Sequence, residues 1–166
     1  MIETERLLIR YLDQEDIDRL VTYRNKPEVA RYQSWNHYSR FEAKGRIRYV
    51  QKHPYTGKPK DNTQLAITLK NGTLIGDLHL EVLNRNTVTI GYTLDSTYWG
   101  QGYGREAVRG LLEALKEFPQ RKVIAYIYRQ NDRSRKLLLD LGFHKFDESS
   151  FYDDEGYILR LDEEGS

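Results

Sequence analysis

The strongest constraint on the fold is a change of period and connectivity between residues 65 and 128. Leu65-Ala66-Ile67-Thr68-Leu69 reads as a strand, Asn71-Gly72 is a strong hairpin signal, and 74–82 alternates. In that alternation Leu78, Leu80 and Val82 point one way, and Asp77, His79 and Glu81 the other. Asn84-Arg85-Asn86 turns the chain back into Val88-Thr89-Ile90-Gly91-Tyr92-Thr93-Leu94, completing a meander of antiparallel strands. The next segment differs. A glycine-rich run, Tyr98-Trp99-Gly100-Gln101-Gly102-Tyr103-Gly104-Arg105, opens a helix whose Ala107, Val108, Leu111, Leu112, Leu115 and Phe118 share a face. Lys122-Val123-Ile124-Ala125-Tyr126-Ile127-Tyr128 is again a strand. Strand–helix–strand in one sheet requires a parallel pair. The expected class is α+β: a mixed, mostly antiparallel central sheet with one parallel crossover, flanked by helices, and not a doubly wound α/β fold.

The flanks fit this plan. Residues 4–12, with Leu7-Leu8-Ile9, read as a first strand, and Asp13 caps a helix carrying Ile17, Leu20 and Val21, which Asn25-Lys26-Pro27 interrupts. Ser39-Arg40-Phe41-Glu42 matches a capping box for a second helix, and 53–62 is a long loop. A short helix over 134–141 ends at Gly142, and strands over 143–146 and 151–161 surround Asp153-Asp154-Glu155-Gly156.

Composition excludes several functions. The 166 residues fit one domain, 1–166. With 26 basic against 25 acidic residues there is no basic excess for nucleic acid. No run approaches the roughly 18 apolar residues of a membrane span, and the first residues lack a signal-peptide layout, so a cytoplasmic location is expected. Cysteine is absent, which removes disulfides, thiolate zinc sites and an acyl-cysteine route. His37, His53, His79 and His144 lie far apart, so no metal is expected.

The glycine run carries the most chemistry. Glycines at 100, 102 and 104 let a polyanion approach the backbone, where N–H groups and the helix dipole favour negative charge. The ATP-type loop G-x-x-x-x-G-K-[ST] is absent. Gly102-Tyr103-Gly104-Arg105-Glu106-Ala107 matches G-x-G-x-x-A, but a dinucleotide fingerprint needs a parallel unit and an acidic residue after the next strand. Antiparallel strands precede this loop, and its next strand begins Lys122-Val123-Ile124-Ala125.

A second motif, Asn131-Asp132-Arg133-Ser134 leading into Leu137-Leu138-Leu139-Asp140-Leu141-Gly142-Phe143, follows that strand. Together with the glycine run, the opening Thr4-Glu5-Arg6-Leu7-Leu8-Ile9-Arg10 and Ile90-Gly91-Tyr92-Thr93-Leu94, it resembles the GNAT acetyltransferase superfamily over nearly the whole chain. The likeness is strongest to its RimJ/RimL-like branch of ribosomal-protein N-terminal acetyltransferases.

The resemblance implies one acyl-CoA N-acyltransferase domain using acetyl-CoA as cosubstrate, with the 122–128 strand splayed from the strand ending at Tyr92, Thr93 and Leu94. Trp99 takes the place of the family's usual glutamine or arginine. Gly100, Gln101, Gly102, Tyr103, Gly104 and Arg105 are the implied pyrophosphate cradle, although Arg105 is equally a solvated helix-start arginine. The strand edge at Tyr92–Leu94 and Asn131 are implied to hold the pantetheine arm, Asn131 serving also as an Asx-turn. Ser134 is implied to protonate the departing thiolate; the alternative is an N-cap hydroxyl for the 134–141 helix.

The implied mechanism is direct attack of a neutral amine in a ternary complex, with a backbone N–H near Leu94 meeting the oxyanion. Many relatives place a glutamate just before Ile-Gly-Tyr, where this chain has Thr89. Of Asp77, His79 and Glu81, Glu81 is the preferred substitute base; the alternative makes all three a solvent-facing strand side. A peptide α-amine, with a pKa of about 7.7–8.0, suits a weak base better than lysine at about 10.4. The acceptor is therefore a peptide N-terminus or small amine. The aromatic segment 32–38 is its candidate pocket, with Trp35 either lining it or anchoring the loop. Monomer and homodimer both remain open. The rival function is a non-catalytic CoA-binding or regulatory module of the same fold.

Overall fold

A computed structural model describes the chain except residues 34, 36, 150, 151 and 164–166. Ser34 and Asn36 of the aromatic segment, and Phe151 of the expected last strand, lie outside the described residues.

The described residues form eight strands: β1 (Ile2–Glu3), β2 (Leu7–Tyr11), β3 (Asn62–Leu69), β4 (Leu74–Asn84), β5 (Thr87–Leu94), β6 (Lys122–Tyr128), β7 (His144–Ser149) and β8 (Asp154–Arg160). They form one sheet in the order β1-β2-β3-β4-β5-β6-β8-β7. Every neighbouring pair is antiparallel except β5–β6. That parallel pair runs only from Thr87↔Lys122 to Ile90↔Ala125. Beyond it, β5 continues to Leu94 beside β4 and β6 to Tyr128 beside β8, no longer paired with each other, so the sheet splays at Gly91. The α+β class and the single parallel crossover are as expected.

The described residues form five α-helices: α1 (Ile17–Arg24), α2 (Pro27–Ala30), α3 (Arg40–Lys52), α4 (Tyr103–Leu115) and α5 (Asp132–Asp140). Asp13 caps a short 3-10 turn leading into α1, and Ser39 caps α3 by accepting from the Glu42 amide. The apolar stripe of α4 (Ala107, Val108, Leu111, Leu112, Leu115) is buried with Leu78, Leu80 and Val82 of β4; Phe118, expected on the same helical face, lies past the helix end and packs half-buried against this core. Each such leucine contributes roughly 1.5–3 kcal/mol by leaving water. On the opposite sheet face Leu20 and Tyr23 of α1 pack with Ala43 and Ile47 of α3 against Ala66 of β3.

That second layer corrects the solvent-face reading of β4. Asp77 is only 1% exposed, because α1 and α3 cover the face where Asp77, His79 and Glu81 alternate. Asp154-Glu155-Gly156 likewise belongs to β8, and the preceding turn lies at Tyr152 and Asp153. Glu155 is buried there and pairs with Arg135 Nε at 3.0 Å. No described helix is long and apolar enough to cross a membrane.

Candidate active site

The loop between β5 and α4 is pinned from several directions. Asp95, buried at its start, pairs with Lys26 Nζ at 2.6 Å and Arg19 Nη2 at 2.7 Å. Trp99 folds back so that its indole N–H donates to the Leu94 carbonyl at 2.9 Å, and Arg133 stacks over its ring at 3.8 Å. Gly100 and Gly102 take positive φ, 76° and 82°, a backbone state that side chains disfavour. Gly102 then caps α4.

The N-terminal segment locks the far side. Arg6 donates through Nη1 to the Gln101 carbonyl (2.9 Å) and through Nε to Glu106 (2.6 Å), and its guanidinium lies 4.2 Å from the Tyr103 ring centre. Glu106 also accepts from Thr4 Oγ1 at 2.5 Å and the Arg6 amide at 2.7 Å. Burial alone would raise the Glu106 pKa, but the bonds from Thr4 and Arg6 hold it below the usual carboxylate value. A depressed folded pKa adds stability that is present above the unfolded value and lost as pH falls through the folded one. Glu106→Gln should therefore lower the melting temperature at neutral pH, and the gap from the parent should close below about pH 4. A gap independent of pH would refute this clamp.

A cavity of about 340 Å³ opens between this loop, the splayed end of β5 and the start of α5. Arg105, Arg133 and Lys136 bring positive charge to it. Arg105 pairs with Asp140 through Nη2, yet its buried Nε has no partner. Asn131 caps α5 and accepts from the Ser134 amide at 3.2 Å. The helix thus begins at Asp132, two residues earlier than its sequence boundary, and Ser134 sits in its first turn instead of capping it. The Tyr92 hydroxyl donates to Ser134 Oγ at 2.7 Å, which leaves the serine proton free to donate. Burial pushes the Tyr92 pKa up to about 12, so the phenol stays protonated.

Backbone groups also face this space. The Asp95 amide donates to Ile75 of β4 at 2.8 Å. By strand alternation the amides of Tyr92 and Leu94 point to the opposite, splayed edge.

A second cavity, about 470 Å³, lies on the α1/α3 side. Arg24 is sandwiched there, 4.0 Å from the Trp35 ring and 4.6 Å from Tyr38, and the Trp35 indole donates to the Arg24 carbonyl at 2.9 Å. Asp77 accepts from Arg24 Nη2 (3.0 Å), from Gln64 Nε2 (2.9 Å) and from the Tyr23 hydroxyl. His79 lines the same cavity beside Gly91, and its pKa is lowered, first by burial and then by Arg46. The two cavities share Gln33, Tyr92 and Thr93.

The model of the acetyltransferase (GNAT) domain matches residues 6–144. The chain belongs to the GNAT acetyltransferase family. Among GNAT relatives it is 28% identical to the uncharacterized N-acetyltransferase p20 of Bacillus licheniformis, across 86% of this chain and 81% of that one. Among solved structures, a GNAT-family acetyltransferase from Bacillus anthracis superposes with TM-score 0.83 at 19% identity, covering 98% of this chain and 99% of the other. Mycobacterium smegmatis RimJ in complex with CoA-disulfide also gives 0.83, at 15% identity, covering 96% and 84%. At these identities the structural likenesses establish the shared GNAT fold.

Within this GNAT frame most sequence-derived positions converge. Tyr92, Thr93, Leu94, Asn131 and Ser134 line the first cavity with Trp99, and from the loop Gly100, Gly102, Tyr103, Gly104 and Arg105 do so too. Trp35 lines the second cavity while also anchoring its loop. Gln101 and Glu81 line neither. The Gln101 amide is turned back onto the Thr97 carbonyl (3.3 Å), and Glu81 pairs with Thr89, two residues further from the splay than His79. Lys136 and Arg133, basic residues i and i+3 on the first turns of α5, were visible in the sequence but carry no weight without the loop they face. Arg46 and Gln64 gave no signal at all.

Proposed function

We propose that the protein transfers the acetyl group of acetyl-CoA to a primary amine, with cosubstrate in the first cavity and amine in the second. The observation that carries this reading is their junction at Gln33, Tyr92 and Thr93, where β5 leaves β6. The first cavity suits a polyphosphate. Its floor includes two positive-φ glycines, Arg133 and Lys136 form no ion pair among the described residues, and Arg105 Nε is unsatisfied. The Tyr92 and Leu94 amides are available to the pantetheine arm and to the carbonyl oxygen.

The amine attacks the thioester carbonyl carbon, so a C–N bond forms as the C–S bond breaks. His79 accepts the amine proton, and the Ser134 hydroxyl, with Tyr92 behind it, gives a proton to the departing sulfur. His79 replaces Glu81 in the base role because it lines the acceptor cavity and burial keeps it neutral near pH 7.

Its lowered pKa sets the sign of the pH dependence. The basic form is complete above that pKa, so kcat/KM, counted on the neutral form of the amine, should fall only on the acid side of ordinary imidazole, about pH 6.5. His79→Gln should lower kcat/KM by about a hundredfold and remove that acid limb. A profile unchanged in the variant would exclude His79. Thiol release from acetyl-CoA with peptides, amino acids, polyamines and aminoglycosides tests the whole reading. A non-catalytic CoA-binding module would bind CoA but release no thiol with any amine from about pH 6 to 9.

A further inference from the structure

The second cavity holds a charge that amine transfer alone does not use. Its ionic side chains are Arg24 from α1, Glu42 and Arg46 from α3, and Asp77 and His79 from β4. Arg24 and Asp77 close on each other at 3.0 Å, and Gln64 and Tyr23 take up the rest of the carboxylate. Glu42 is exposed at the rim, where the Ser39 hydroxyl reaches it at 3.3 Å.

Arg46 is held differently. Its Nε donates to Gln64 Oε1 at 2.9 Å and its Nη2 to Asn62 Oδ1 at 2.6 Å, both neutral amide oxygens. Among the described residues it forms no ion pair with a carboxylate, although it is half-buried. Gln64 cannot turn to help, because its NH2 is committed to Asp77. The connected set Arg24–Asp77–Gln64–Arg46 therefore carries two cations and one anion. A partly desolvated guanidinium facing a cavity is where an arriving oxyanion gains most. Burial works against the charge of Arg46, which nevertheless remains protonated.

We propose that this cavity selects acceptors carrying a carboxylate or comparable oxyanion beside the amine, in the manner of a free amino acid, and that Arg46 reads the anion. The proposal rests on the second cavity being the amine site. It disfavours polyamines, whose extra positive charges would meet the same guanidinium.

The test pairs amino acids with their own amides, which keep the amine and lose the anion. An amide's amine is the less basic of the two, so intrinsic reactivity opposes the expected result. For the best substrate, kcat/KM should favour the acid by at least about tenfold, mostly through KM. Arg46→Gln should bring that ratio towards one, and Arg46→Lys, which keeps the charge without the planar fork, should retain part of it. Amides or polyamines used as well as acids by the parent, or a ratio that Arg46→Gln leaves unchanged, would overturn the proposal. Should no amine release thiol, calorimetric titration of the same acids and amides into CoA-saturated protein decides. Acid-selective binding lost in Arg46→Gln sustains the anion site while the transfer reading fails; binding without acid preference, or no binding, overturns the anion site itself.

Discussion

Replacing Gly102 by glutamate is expected to weaken CoA binding by at least about a hundredfold, roughly 3 kcal/mol. Two effects combine. Gly102 has φ 82°, so any side chain there strains the backbone that begins α4, at roughly 1 kcal/mol. A Cβ at this position would also lie 3.3 Å from Arg6 Nη2, and a carboxylate pairing with Arg6 would occupy the cradle proposed for phosphate. Gly102→Ala separates the two parts, since it carries the strain without the charge. Calorimetric titration of CoA into the three proteins, with circular dichroism to check folding, measures both. Equal affinity in Gly102→Glu and the parent would remove the loop from the binding site.

Asp77→Ala should be the most destabilising single change around the second cavity. Asp77 is 1% exposed and, among the described residues, is the one carboxylate answering Arg24, whose guanidinium is itself packed between Trp35 and Tyr38. Removing it leaves a buried cation unpaired and strips the Tyr23 hydroxyl and Gln64 amide of their acceptor. Loss of one partner of a buried pair costs about 3–5 kcal/mol. For a chain of this length that lowers the melting temperature by roughly 6–20 °C. Replacing both partners by apolar residues of similar volume should recover much of the loss, because no charge is then stranded. A melting temperature within a few degrees of the parent for Asp77→Ala would contradict the buried network.

The behaviour of Asp77 also shows how far the sequence can be read. The meander, the hairpin at Asn71-Gly72, the α4 stripe and the parallel crossover follow from local period and turn chemistry, and all are present. The side of β4 carrying Asp77, His79 and Glu81 has the same alternation whether water or two helices cover it. What covers it, α1 and α3, comes from a distant part of the chain, so the burial of Asp77 had no local signature. Glu155 in β8 is a second case, paired by Arg135 of the preceding helix. At the site, the glycine loop and the Asn131–Ser134 segment were legible because backbone conformation and capping are local. The Arg6–Glu106 clamp spans 100 residues, and the Arg46–Gln64–Asp77 chain joins a helix to two strands. Such contacts emerge only once the sheet sets the register.

If the two cavities hold separate substrates that react where they meet, CoA binding and turnover must be separable by mutation. CoA affinity and amine-dependent thiol release are to be measured together in the parent, Gly102→Glu and His79→Gln. The expected result is a separation. His79→Gln binds CoA within about twofold of the parent but turns over about a hundredfold more slowly. Gly102→Glu loses affinity first. If the parent binds CoA but no amine releases thiol, or His79→Gln turns over at the parent rate, the two cavities do not work as a pair of substrate sites.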